Sequence, residues 1–111
     1  MDISKLDVVT ASNQGFRCII KNPKTGDDTD IVIVIKGAYA DKFRDASDQA
    51  DTVEKTAEML AQFTVGWEGL EEHGSILPFS VADAARIYKD FPIIRGQVLN
   101  AALDVRNFIK D

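Results

Sequence analysis

The chain has 111 residues, of which 45% are apolar and 28% charged, so it has the size and composition of one ordinary globular domain with a limited core and is not a disordered chain. A formal net charge of −5 argues against nucleic-acid binding, since no basic patch could neutralise phosphates. It suits solubility at high expression and a basic or amphipathic protein partner. A single cysteine, Cys18, excludes an internal disulfide.

Residues 1–15 are polar apart from Leu6, Val8 and Val9. They read as a flexible or loosely docked N-terminal arm with at most one short strand. The opening MDISKLDVVTASNQG carries acids and no continuous apolar core, so no signal peptide is expected. No apolar run is long enough to span a membrane. A cytosolic protein with no membrane partner is the expectation.

The single domain, 16–111, starts with FRCIIK. Phe16, Cys18 and Ile20 share one face of a predicted strand. Cys18 reads as a buried small hydrophobe. NPKTGDD is dense in turn formers, and TDIVIVIK is a second, β-branched strand that completes a hairpin. Ile31, Ile33 and Ile35 point one way from it, and Val32 and Val34 the other. A hairpin with one wet face alternates apolar and polar residues. This strand is apolar on both sides. Helices of the chain can cover one face, and the other needs an N-terminal strand, more helix or another subunit; self-association or partner docking is the physical expectation, with a helix over each face as the alternative.

Helical spacing begins near Asp41. Tyr39, Phe43, Ala46 and Ala50 form one stripe, with Asp41, Asp45 and Asp48 beside it. Val53, Ala57, Leu60, Ala61 and Thr64 continue the period. The reading is one long helix, or two helices bent near Asp51 with Asp51 or Thr52 as cap, ending at Gly66. Trp67 then falls one turn beyond Leu60 and Phe63 on the same face. It is expected to fold back with Leu70, Leu77 and Phe79 as a hydrophobic clasp, with a wet tip at Glu71 to Ser75. Ser80 reads as an N-cap with Asp83 behind it, and Pro92 as the start of a last helix reaching Ile109. Strands come first and helices follow, so the fold class is α+β: an N-terminal β-hairpin, with room for an extra strand, on three to four helices.

No catalytic or metal constellation stands out. His73 sits in the acidic turn EEHG without a second histidine or cysteine. Asp27, Asp28 and Asp30 lack the alternation of a calcium loop. Ser47, Ser75 and Ser80 have no nucleophile-elbow context. The expectation is a non-enzyme without cofactor. Its candidate contacts with a partner or a second copy are Ile31, Val32, Ile33, Val34 and Ile35, with the stripe Asp41, Asp45 and Asp48 facing any basic partner.

The order of short motifs carries a resemblance. A P-x-T-G…D-I-x-I-x-x-x-G hairpin precedes L-A-x-x-T-V-G-W-E-G-L. Then come L-P-F-S, A-x-x-I-Y-K-D-F-P-I-I-R-G-Q-V and R-N-F. The carriers include Pro23, Thr25, Gly26, Asp30, Gly37, Trp67, Gly69, Gly74, Pro78, Phe79, Ser80, Phe91, Pro92, Ile94, Arg95, Arg106, Asn107 and Phe108. In these the chain resembles the small tail assembly chaperones of long-tailed bacteriophages and prophages. The resemblance implies a mixed α and β fold and a non-enzymatic function. The protein would coat and solubilise the tape-measure protein and help recruit tail-tube subunits. It would act in the cytoplasm of the infected host and be absent from the mature virion. The alternative is a structural virion component such as a head–tail completion protein.

Overall fold

A computed structural model describes residues 1–109. The described chain is α+β. Its main sheet is antiparallel, in the order β1 (Phe16–Lys21), β2 (Asp28–Ile35), β3 (Thr64–Glu68). Five helices accompany it among the described residues: α1 (Val8–Gln14), α2 (Phe43–Gln49), α3 (Val53–Gln62), α4 (Val81–Asp90) and α5 (Pro92–Leu103). A two-stranded ribbon, β4 (Glu71–Glu72) with β5 (Ser75–Ile76), stands apart.

The β1–β2 turn forms as its residues dictate. Asn22 accepts at Oδ1 from the Lys24 N–H (2.9 Å), and the Gly26 N–H donates to the Asn22 carbonyl (2.7 Å). Further along, the register slips between Ile19 and Lys21, and the Thr29 hydroxyl donates to the Ile20 carbonyl (2.7 Å). The outer edge of β1 is closed by one side chain of α5. Gln97 accepts from the Lys21 N–H (2.7 Å) and donates to the Lys21 carbonyl (2.9 Å), as a strand partner would.

The third strand is β3 and not an N-terminal one, and it lies where a helix was expected. α3 ends at Gln62, with Phe63 as its C-cap, and Thr64 is already paired with Ile35. The sequence reading that carried the helix to Gly66 is corrected here. Spacing of three to four residues continues through Trp67, but a free edge of β2 overrides it for a β-branched Thr64–Val65 pair. Thr64 makes the switch. Its hydroxyl donates to the Leu60 carbonyl (2.8 Å) in the last turn of α3, a carbonyl that also accepts from the Phe63 N–H (3.2 Å). With its one hydrogen so used, Thr64 Oγ1 accepts from the Tyr88 hydroxyl (2.7 Å). Tyr88 is fully buried, and burial pushes its phenol well above its ordinary pKa.

Two open expectations resolve, and the end of the last helix changes. The arm 1–15 contains no strand. It is a 3-10 turn, Ile3–Leu6, followed by α1, whose first turn is capped by Asp7 accepting from the Thr10 N–H (3.1 Å). α1 docks through the Ser12 carbonyl, which accepts from the Gly37 N–H (3.0 Å). The central helical stretch is two helices, broken at residues 50–52, with Thr52 capping the second through the Lys55 N–H (3.1 Å). The last helix stops at Leu103 because Asp104 turns to accept from the Arg106 N–H (3.1 Å) and starts a 3-10 turn, Val105–Phe108.

The core lies between the sheet and the helical layer. Cys18, Ile20, Ile33 and Ile35 from the sheet meet Leu60, Ala84, Tyr88, Val98 and Ala102 from the helices. Ser12 is the one buried polar side chain among the described residues whose oxygen finds no hydrogen-bond partner.

The Thr64–Tyr88 pair gives an asymmetric prediction. Tyr88→Phe removes a donor and is expected to cost about 1 kcal/mol, whereas Thr64→Val strands the buried Tyr88 hydroxyl and is expected to cost about 2–3 kcal/mol. Urea unfolding of the two variants measures the difference.

Candidate functional site

The expected clasp is assembled around strand β3 rather than a loop. Trp67 is paired with Ile33 on the core side of the sheet. Its indole N–H donates to the Leu77 carbonyl (2.8 Å), and its ring meets Phe79 edge-on at 5.0 Å between centroids. Leu70 is buried, and its carbonyl accepts from the Leu77 N–H (2.9 Å). Trp67, Leu70, Leu77 and Phe79 are thus brought together. Gly69 makes the corner possible. Its φ is +74°, and a Cβ there would lie 1.9 Å from the Asp30 carbonyl oxygen.

The tip of this segment is the β4–β5 ribbon, turned by His73 (φ 53°) and Gly74 (φ 80°). It is strapped to α4. Arg86 donates from both terminal nitrogens to the Glu72 carboxylate (2.9 and 2.8 Å), and also reaches Asp83 (3.3 Å). Hydrogen bonding from Arg86 holds the Glu72 carboxyl below its usual range. Sequence reading missed this strap. Asp83 and Arg86 are visible as an i,i+3 pair, but Glu72 lies 14 residues away, beyond any local signal.

The candidate contact residues separate. Ile33 and Ile35 are fully buried and Ile31 is half-buried against the core. Ile33 and Ile35 therefore cannot touch a partner, and their assignment as contacts is corrected. Val32 and Val34 point to the opposite face of β2 and are half-buried. β2 is the central strand, so both its edges are already paired.

The acidic stripe is also divided. Asp41 precedes α2 and is held by its own N–H donating to Asn13 Oδ1 (3.1 Å). Tyr39 likewise lies outside the helix and is exposed. Asp45 sits in the first turn of α2, where the helix dipole favours it. Asp48 lines an open groove of about 590 Å³ between α2 and α3. Ala46, Ala50 and buried Met59 form its base, and the exposed carboxylates of Asp48, Asp51 and Glu58 its rim. Lys55 in the rim is paired with Asp51 (3.2 Å). The groove offers an apolar floor and a net negative rim, the chemistry that accepts a basic amphipathic segment.

Among the described residues no group of three His, Cys, Asp or Glu side chains is arranged to hold a metal ion, and no helix is long and apolar enough to cross a membrane. Cys18 is buried, and burial pushes its thiol up, away from reactivity. No protein-family model, curated protein or solved structure matches the chain.

The half-buried Trp67 ring makes Trp67→Ala cost about 2–4 kcal/mol, measured by thermal or urea unfolding. The strap is pH-dependent. A lowered Glu72 pKa contributes stability above the ordinary glutamate value, and that contribution is lost as the pH falls through the folded value. The Ile76 methyl resonances are expected to move in acid below the usual glutamate range, and Glu72→Gln to remove that transition.

Proposed function

We propose that this protein is a non-enzymatic tail assembly chaperone of a long-tailed phage or prophage. It coats the tape-measure protein, keeps that protein's apolar surface soluble and helps recruit tail-tube subunits. It works in the cytoplasm of the infected host and leaves before the virion matures.

The observation that carries this reading is the ordered motif set from Pro23 to Phe108. Several of its residues hold the fold at identifiable points. Gly69 permits the close approach to Asp30. Ser80 caps α4 by accepting from the Asp83 N–H (3.1 Å), and Pro92 opens α5. Arg95 donates to the Tyr88 and Lys89 carbonyls at the end of α4 (2.9 and 3.2 Å). Phe108 is buried. These motif residues therefore have structural tasks within this chain. The acid-rimmed α2–α3 groove adds support, because it suits a helical partner that presents basic and apolar side chains.

Mass spectrometry of virions purified from cells that express the protein tests the reading. The chaperone is expected to be abundant in the lysate and missing from the particle. Recovery from the particle at a fixed structural copy number would instead identify a virion component such as a head–tail completion protein.

A further inference from the structure

Helices α1 and α2 each have little of their own to hold them. Both are seven residues long, too short to be stable in isolation. Among the described residues α2 buries Phe43 alone, and α1 buries Ser12 alone. α2 starts from Lys42, whose φ of 67° disfavours a residue with a side chain and whose side chain makes no cap hydrogen bond.

The burial of Ser12 works against α1. Its hydroxyl gives up water and finds no partner among the described residues. The apolar side chains of Leu6 and Val9 stay exposed. A segment that buries so little apolar surface opens at a free energy well below that of global unfolding. α1 is therefore built to leave.

What α1 holds while docked is the connector from β2 to α2. A Cβ at Gly37 would lie 2.5 Å from Ser12 Oγ and 2.6 Å from the Phe108 ring, so only glycine lets the connector pass between them. Lys36 and Ala38 are tied to the body of the fold, their N–H groups donating to the Phe63 and Ala102 carbonyls (both 2.9 Å). Gly37 and Asp41 are tied to α1 instead. The Gly37 N–H donates to the Ser12 carbonyl (3.0 Å), and the Asp41 N–H donates to Asn13 Oδ1 (3.1 Å). Asp41 stands directly before α2 and its left-handed Lys42. When α1 leaves, α2 keeps Phe43 in the core but loses the bond that fixes its entry. α2 is one wall of the acid-rimmed groove, which no described residue of α1 lines.

We propose that α1 is a latch on α2. The two helices open as one unit of low stability, and the docked latch sets the α2–α3 groove for its occupant. The regulatory role rests on the reading of that groove as a partner's seat. Occupation of the groove and docking of α1 then favour one another by linkage, although α1 lies outside the groove.

Native-state hydrogen exchange of the full chain tests it, alone and with an amphipathic helical peptide of leucine and lysine. In the free protein, α1 and α2 amides are expected to exchange through openings of matching free energy, well below that of β2. Ser12→Ala removes the orphan hydroxyl and is expected to slow exchange in both helices roughly fivefold or more. Asn13→Ala is expected to speed exchange in both. The peptide is expected to protect α2 and, through it, α1. Exchange of both helices only together with β2 overturns the proposal. So do variants that change α1 and leave α2 as in wild type, since a purely local role for Ser12 or Asn13 would do that. A peptide that protects α2 without α1 overturns the linkage. A peptide that fails to bind overturns the groove reading and the latch's role there, while the exchange of the free protein decides the coupling by itself.

Discussion

The hydrogen-bond chain from Tyr88 through Thr64 to Leu60 is the constraint on which the remaining structure hangs. It sits in the core, so each of its groups must find a partner inside the protein. By donating to the Leu60 carbonyl in the last turn of α3 while its backbone pairs with Ile35, Thr64 joins the end of the helix to the start of a strand. That strand makes β2 central. It places Trp67 opposite Ile33 and lets Gly69 drop the chain past Asp30, so that Leu70 is buried. Without the switch, the segment would continue as helix past the sheet edge, and the clasp would have nothing to close on.

A one-sided sheet follows. Its inner face takes the buried isoleucines, each worth about 1.5–3 kcal/mol when fully removed from water. Its outer face keeps Ile19, Val32, Val34 and Val65 under an Arg17–Glu68 pair. The doubly apolar β2 is thus a strand with one packed face and one open face. The edges are treated differently as well. The Gln97 side chain closes β1 with two hydrogen bonds to the Lys21 backbone, while among the described residues no strand lies on the outer side of β3.

What could be read from the residues was what local chemistry decides. The Asn22–Gly26 turn, the Thr52 and Ser80 caps and the Pro92 start each depend on groups within a few positions, and the α+β class followed from their order. β3 was not legible, because five residues with a glycine inside carry a weak strand signal beside a strong helical period. Its formation depends on β2's free edge, where Thr64 pairs with Ile35, far away in the chain. α1 was hidden by its lack of apolar periodicity, although Asp7 and Thr10 have a capping spacing. The clasp residues could be grouped because their chemistry is distinctive. Their geometry, an indole N–H on the Leu77 carbonyl, could not be foreseen. The contact assignment failed at Ile33 and Ile35 because alternation shows that two faces exist but not which one is packed.

In this account, motif residues build the fold and the function lies on the surface that remains. In the proposal, the Asp48, Asp51 and Glu58 rim is what a long helical partner would meet. The most direct measurement is the soluble fraction of the tape-measure protein expressed with and without this chain. The account predicts an insoluble tape-measure protein alone, and a soluble complex that co-purifies with this protein when both are expressed. A tape-measure protein that stays insoluble beside abundant, folded copies of this chain would contradict it.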